Sequence, residues 1–221
     1  MELSRGRRAV SQELKAARRA AILASAAQRF RSVAYDDLSM ADVAADAGVA
    51  KGTIYLYFAT KEALFLALLA EQYAQWFDAF DAELTSATGQ PVDGLIDWLV
   101  ESLAARPLLL QLMGLMHGVL EQNVELDTAL EFKRQLAVRA QRTGAALSQA
   151  LGDADGILGL RVLMWLQAAV IGLSQMAQPA PAVRQAMDQE PLLAAFDIDF
   201  GSELRALLRV LVAGLKQSGA N

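Results

Sequence analysis

The stretch that decides the fold runs from residue 39 to residue 61 and reads SMADVAADAGVAKGTIYLYFATK. It predicts two short helices with a tight turn between them. Ser39 is a good N-cap for the first helix, and Asp42 follows three residues later, where its carboxylate can complete a capping box. Gly48 supplies the left-handed backbone conformation that a sharp exit from a helix needs. The second helix is predicted over Lys51 to Tyr57.

The second helix combines a packed side with an accessible side. Ile54 and Phe58 are spaced i, i+4 and therefore point inward together, whereas the other positions carry small, cationic or hydroxyl-bearing side chains. A helix that packs on one face and lies in a groove of DNA on the other has this pattern. The residues themselves therefore predict a helix-turn-helix.

The same stretch resembles the signature of one protein family. The run Ala-Gly-Val-x-Lys-Gly-Thr-Ile-Tyr-x-Tyr-Phe-x-x-Lys-Glu-x-Leu at residues 47–64 is similar to the helix-turn-helix of TetR-family transcriptional regulators, with about ten matches in one ungapped block. The resemblance covers roughly residues 15–75, and beyond that range only length and helical pattern agree. The resemblance implies an all-α fold. A three-helix DNA-binding domain at residues 1–60 would be joined to a helical ligand-binding and dimerisation domain at residues 61–221.

The resemblance also assigns six residues to DNA contact: Lys51, Gly52, Thr53, Tyr55, Tyr57 and Lys61. Lys51 can reach a guanine edge or a phosphate, and Gly52 lets the backbone approach closely. The two tyrosine hydroxyls and Lys61 are expected at phosphate oxygens. The alternative is half-buried packing for each tyrosine and ordinary solvated side chains for the lysines.

Three departures from the family pattern reduce the expected base reading. Ala50 stands where members often have Ser, so the second helix lacks a side-chain cap worth about 1 kcal/mol. Met40 and Ala41 stand where members often place a polar residue near DNA. Base reading is therefore expected to rest on few side chains, with Lys51 and Thr53 foremost.

Composition favours a helical protein and argues against an enzyme. The chain has 221 residues, of which 54% are hydrophobic, enough for a substantial core in one or two domains. Its 5 prolines leave long stretches of good helix formers. One histidine and no cysteine exclude Cys–His pairs, disulfides and multi-histidine metal sites. No nucleotide-binding loop or nucleophile elbow is present, so we predict neither catalysis nor a cofactor.

The charge distribution suits a protein that presents one end to phosphates. Net charge is −5, yet residues 1–61 hold ten Lys or Arg against six Asp or Glu, and the remainder holds ten against nineteen. A basic end on an acidic body favours nucleic-acid binding. Such an asymmetry also arises without any function.

The helical pattern predicts most of the remaining elements. Residues 1–12 are expected to be disordered, and residues 179–199 are expected to form a loop with at most one helical turn. The most apolar stretch, 157–177, is interrupted by Arg161 and Gln167, which favours a buried helix over a membrane span. Helices are predicted at residues 14–33, from 61 onward, and at 92–105, 107–122, 126–151, 155–178 and 202–216.

The resemblance further implies a homodimer formed through the last two helices and a pocket for a small-molecule effector in the middle helices. An ordinary intramolecular core would show the same apolar pattern in the penultimate helix. Methionines and aromatics suit a broad apolar pocket, although each of them taken singly is more often plain core. The candidate lining residues are Trp98, Leu99, Met113, Met116, His117, Leu120, Phe132, Met164 and Trp165.

A regulator of transcription is the function that the resemblance implies. It would act in the cytoplasm as a repressor, bind a near-palindromic double-stranded DNA operator as a homodimer, and leave it when an effector binds. The alternative is a helix-turn-helix protein without a small-molecule response, whose helical body docks a protein partner.

Overall fold

The computed structural model describes residues 2–86, 92–153 and 156–218, with side chains for 12–86, 92–153 and 156–215. Within these ranges the chain is helical without strands, so the all-α prediction is confirmed. A π-helical turn, Met116–Leu120, follows α6, and a 3-10 turn, Pro191–Phe196, follows α9. The α-helices are α1 (Glu2–Phe30), α2 (Met40–Asp46), α3 (Lys51–Ile54), α4 (Lys61–Ser86), α5 (Val92–Ala104), α6 (Pro107–Leu115), α7 (Leu126–Ala150), α8 (Leu158–Met176), α9 (Pro181–Gln189) and α10 (Phe200–Ser218).

Two expectations about the irregular segments are wrong. Helix α1 already begins at Glu2, because the first residues lack proline and continue the run of good helix formers. The segment expected to be a loop contains α9, since Pro181 occupies the first turn, where its fixed φ favours a helix. The predicted start of α8 at Asp155 lies outside the described residues.

The described chain divides into two compact units. Unit 1 comprises Met1–Glu71 and Met116–Phe132, and unit 2 comprises Gln72–Leu115 and Lys133–Asn221. The predicted domain boundary after residue 60 stays a prediction.

The core of unit 1 is built around Phe65, which is fully buried. The rings of Phe30 and Tyr35 meet it edge to face, with centroids 5.3 and 5.1 Å away. Edge-to-face contact stabilises such a cluster beyond the burial of its area. Helix α1 packs on α2 and α2 packs on α3, so the cluster supports the helix-turn-helix.

The core of unit 2 is formed by α5, α6, α8 and α10, which pack in neighbouring pairs. The ring of Phe80 stacks on Trp98, with centroids 5.4 Å apart. The indole Nε1 of buried Trp76 donates to Ser102 Oγ at 3.3 Å. Aromatic packing and a satisfied indole N–H thus fix α4 against α5 within this unit.

Helices α7 and α8 approach each other through glycine. A Cβ built on Gly159 would lie 1.9 Å from the carbonyl oxygen of Gly144, so the two backbones are in direct contact. The Gly159 amide donates to Ser148 Oγ at 2.8 Å. Asp153 Oδ2 accepts the Leu158 amide at 2.7 Å and so satisfies a backbone N–H at the start of α8.

One helix of the described residues, α8, has the length and composition of a membrane span. Helix α5 and the helical segment Pro107–Leu120 also meet these criteria when they are counted together as one bent span. The core helix of a soluble protein meets the same criteria, so this is weak evidence for a membrane. Only 33% of the α8 window is buried in the single chain, which leaves apolar surface for another contact.

Candidate DNA-binding surface and effector cavity

The turn between α2 and α3 follows from its cap and its glycine. Ser39 Oγ accepts the Asp42 amide at 3.2 Å, which confirms the predicted N-cap. The Asp42 carboxylate accepts the Ser39 hydroxyl at 2.6 Å instead of a backbone amide. Gly48 has φ +66°, as predicted, and the Val49 amide closes the turn on Ala44 O at 3.0 Å.

Helix α3 is a single turn that is anchored by buried side chains. It ends at Ile54, three residues before the predicted end, and hydrogen-bonded turns continue the chain, with the Phe58 amide donating to Ile54 O at 3.0 Å. Both Ile54 and Phe58 are buried, as predicted. Ala50 provides no side-chain cap. Burial of these two anchors therefore positions α3, and capping contributes little.

The predicted DNA-contacting residues differ in exposure. Lys51, Gly52 and Tyr55 are exposed, whereas Thr53 and Tyr57 are partly buried. A Cβ on Gly52 would meet nothing within 4 Å, so the folded chain itself does not require glycine there. The first turn of α3 thus presents a cation and a bare stretch of backbone on one surface.

Lys61 has a structural function in unit 1. Its Nζ donates to Tyr35 O at 2.8 Å and to Leu38 O at 3.1 Å, and it lies 4.2 Å from the Tyr35 ring centroid. These contacts hold the chain between α1 and α2. Burial, together with the Glu62 carboxylate, raises the pKa of the Tyr35 phenol well above its usual range. Contact of Lys61 with phosphate stays a prediction.

An ion pair joins the ends of α1 and α2. Arg29 Nη2 donates to Asp46 Oδ1 at 3.0 Å, and Arg29 Nε donates to Asp46 Oδ2. The guanidinium hydrogen bonds lower the pKa of the Asp46 carboxyl below its ordinary value. The pair is bidentate, a geometry that favours one fixed orientation of the two helix ends.

Unit 2 contains a partly open cavity of about 160 Å³, and its lining residue Met164 is also exposed to solvent. Most of its lining is aliphatic or aromatic, and none of the described lining residues is charged. Its polar groups are the Gln167 amide, the Tyr73 hydroxyl and the Trp76 indole. The lining residues are Tyr73, Trp76, Phe77, Leu103, Leu109, Met113, Leu136, Ala140, Leu160, Leu163, Met164, Leu166, Gln167 and Val170.

The predicted pocket residues do not all meet at this cavity. Met113 and Met164 line it, whereas Trp98 stacks on Phe80 and Trp165 is exposed beneath the guanidinium of Arg161. Leu99 is buried in α5 but does not line the cavity. The others belong to unit 1: Met116, Leu120 and Phe132 are buried there, and exposed His117 lies 3.2 Å from Glu121.

Sequence reasoning missed the contribution of α4 to the cavity. Tyr73, Trp76 and Phe77 lie on one helical stripe, which is also the pattern of an ordinary packing face. The sequence offered only a weak indication that Gln167 lines the cavity, because it is a polar residue inside the most apolar stretch.

Hydrogen bonds and ion pairs connect α4 with α7, and both helices line the cavity. Asp78 accepts hydrogen bonds from Arg139 at 2.7 Å and Arg142 at 3.1 Å, which lower the pKa of its carboxyl. Asp81 accepts the Thr143 hydroxyl at 2.5 Å and pairs with Arg142. Both arginines are therefore engaged by carboxylates beside the cavity.

Comparison with known proteins decides the family. Residues 70–219 match the family model described as "Tetracyclin repressor-like, C-terminal domain", and residues 22–68 match "Bacterial regulatory proteins, tetR family". The first match alone covers more than half of the chain. The protein belongs to the TetR family. This TetR-family chain is therefore a transcriptional regulator and not an enzyme, as the sequence predicted.

Relatives of this TetR-family regulator include a fatty acid metabolism regulator protein of Bacillus subtilis (strain 168). The two are 29% identical over 125 residues, which are 56% of this chain and 57% of that protein, so the match spans little more than half of this curated relative.

Two solved structures share the fold of the TetR-family chain. FadR from Bacillus subtilis in complex with stearoyl-CoA is 18% identical, covers 88% of this chain and 97% of its own, and gives a TM-score of 0.56. FadR from Bacillus halodurans is 18% identical, covers 90% and 96%, and gives 0.57. At this identity the likeness shows the fold alone.

Proposed function

We propose that this regulator is a ligand-responsive repressor, which binds a near-palindromic operator as a homodimer in the cytoplasm and leaves it when a small molecule binds in unit 2. The DNA-binding part of this proposal rests on one observation, the exposed first turn of α3 next to its buried anchors Ile54 and Phe58. An exposed cation beside bare backbone suits the approach of a helix to DNA.

Lys51 is the residue that we expect to contribute most to DNA contact. It is exposed at the start of α3, whereas the Lys61 ammonium already serves two backbone carbonyls. Each lysine that neutralises a phosphate releases counterions, so its contribution shows in the salt dependence of binding. Lys51 can therefore be tested with little effect on the fold.

Replacing Lys51 with alanine is expected to weaken operator binding at least about tenfold and to reduce the slope of log K against log salt by about 2, one contact in each half-site. Tyr57→Phe, which keeps the ring and removes the hydroxyl, should weaken binding less. Operator DNA selected from random sequence and titrated by fluorescence anisotropy provides the measurement.

The matched control is Lys133→Ala, which removes an exposed lysine of α7 in unit 2. It should leave the affinity and the slope near those of the unaltered protein. If Lys51→Ala and Lys133→Ala behave alike, α3 does not make the proposed phosphate contact.

The proposed dimer uses α8 and α10. Leu204 and Leu208 of α10 are buried, whereas Leu207 and Val210 on other faces are 45% and 72% exposed. Helix α8 likewise exposes Met164. Since α8 and α10 pack against each other, their exposed apolar side chains can form one surface for a second copy.

The double variant Leu207→Asp/Val210→Asp is expected to be monomeric in sedimentation velocity at concentrations where the unaltered protein is dimeric, because it places charge in an apolar interface. Val138→Asp, on an exposed side chain of α7, is the matched control and should remain dimeric. A dimer that survives the double variant would refute an α8–α10 interface.

The cavity supports the effector part of the proposal. A small molecule there can shift the dimer to a state whose DNA-binding helices no longer match the spacing of the half-sites. The alternative of a body that only docks a protein partner gives no reason for an apolar cavity of about 160 Å³ inside unit 2.

A further inference from the structure

We infer that the effector is a compact, uncharged aromatic molecule with one hydrogen-bonding group, and that Gln167 binds this group. The inference rests on the proposed effector site in unit 2. It follows from the size of the cavity, the nature of its walls, the absence of charge among its described lining residues and the position of one amide.

The size of the cavity favours a small ligand. Its volume is about 160 Å³. Engineered apolar cavities of about 150 Å³ in protein cores bind benzene. A single substituted ring therefore fits without rearrangement of the helices, whereas a long acyl chain exceeds the cavity and would leave most of its length outside it or require the helices to move apart.

The walls favour an aromatic ligand over an aliphatic one. Tyr73, Trp76 and Phe77 of α4 contribute rings, and Met113 and Met164 contribute polarizable thioethers. Aromatic edges and methionine sulfur both make favourable contacts with an aromatic ring beyond simple burial. The cavity thus offers an aromatic ligand favourable contacts with both aromatic rings and methionine sulfur.

Anionic ligands are disfavoured because the described lining offers them no free cation. A carboxylate or phosphate moved into an apolar cavity loses its hydration and needs a cation in return. Arg139 and Arg142 are the nearest candidates along α7, and Asp78 and Asp81 already engage them. No described lining residue supplies a free cation.

Cations are disfavoured for a different reason. The aromatic rings pack on one another, with Trp76 and Phe77 at 5.1 Å edge to face and Tyr73 and Phe77 at 6.1 Å. A cage for an ammonium group instead needs ring faces turned toward the void, usually with a carboxylate nearby. The described lining contains no carboxylate.

Gln167 supplies the hydrogen-bonding partner. It lies on α8 between Leu163 and Val170, which also line the cavity, and its amide makes no hydrogen bond within the described part of the chain. A ligand that displaces water from this amide must replace the lost hydrogen bonds or lose affinity. A hydroxyl or a ring N–H satisfies this requirement, and a hydrocarbon does not.

The experiment compares p-cresol with toluene on the full-length protein by calorimetry. The unaltered protein is expected to bind p-cresol about two- to tenfold more tightly, the worth of one hydrogen bond. Gln167→Leu should remove this preference by weakening p-cresol and not toluene. Gln149→Leu, at an exposed position of α7, is the matched control and should retain it.

A second variant tests the position of the binding site, and further ligands test the class of molecule that it binds. Ala140→Phe, which fills the cavity, should abolish binding of both compounds. 4-Methylbenzoate, trimethylphenylammonium and stearoyl-CoA are expected to bind at least about tenfold more weakly than p-cresol. Tighter binding of any of these three, equal binding of toluene and p-cresol, or no binding of p-cresol would overturn the inference.

The same samples separate this inference from the proposed function. If p-cresol binds as expected but does not release the operator, the ligand class stands and the proposed effector response fails. If stearoyl-CoA releases the operator and p-cresol does not bind, the effector response stands and the ligand class is wrong.

Discussion

Replacing Gly159 with alanine is expected to destabilise the protein by about 3 kcal/mol, because the new methyl group overpacks the contact between α7 and α8. Its Cβ would lie 1.9 Å from Gly144 O and 2.6 Å from Ser148 N. Both atoms belong to the backbone, so no rotation of a side chain can make room. Denaturant unfolding followed by circular dichroism provides the measurement.

Gly172→Ala on the same helix is the matched control. A Cβ there meets nothing within 4 Å, so alanine should leave stability unchanged or raise it by up to about 1 kcal/mol. Equal stabilities of the two variants would show that α7 and α8 do not meet at Gly159. The p-cresol affinity should fall with Gly159→Ala, since Leu160 and Met164 on the displaced helix line the cavity.

Replacing Lys61 with methionine is expected to destabilise the protein by about 2 kcal/mol through loss of two charge-assisted hydrogen bonds. The methionine keeps much of the apolar stem, but Tyr35 O and Leu38 O lose their shared donor. Thermal unfolding of the variant and the unaltered protein tests this expectation.

Lys51→Met is the control for Lys61→Met, since Lys51 is exposed and no side-chain hydrogen bond in the described structure depends on it. It should leave the unfolding transition in place while it weakens operator binding. If Lys61→Met unfolds like the unaltered protein and loses only DNA affinity, Lys61 acts on phosphate and its carbonyl contacts contribute little to stability.

The helix-turn-helix could be predicted from the sequence because local physics determines it. A serine cap, a glycine that needs positive φ and two apolar anchors at i, i+4 spacing act within a few residues of one another. The structure shows each of them at Ser39, Gly48, Ile54 and Phe58. The function of Lys61 was not predictable in this way, because its carbonyl partners lie 26 and 23 residues away in the chain.

The cavity could not be predicted from local patterns, since it depends on which helices meet. Met113 and Met116 are three residues apart, yet the first lines the cavity of unit 2 and the second is buried in unit 1. Methionine and aromatic stripes look the same whether they fill a core or surround a void. Only the arrangement of α4, α6, α7 and α8 tells these cases apart.

The open space around Gly52 has a consequence for the evolution of operator preference. A side chain placed there meets no atom of the folded chain within 4 Å. Variants with larger residues at this position are therefore expected to keep their fold, and under the proposed DNA contact they would change what the first turn of α3 presents to a base pair. If α3 reads the operator as proposed, a new operator preference could arise through position 52 without a compensating change in the core.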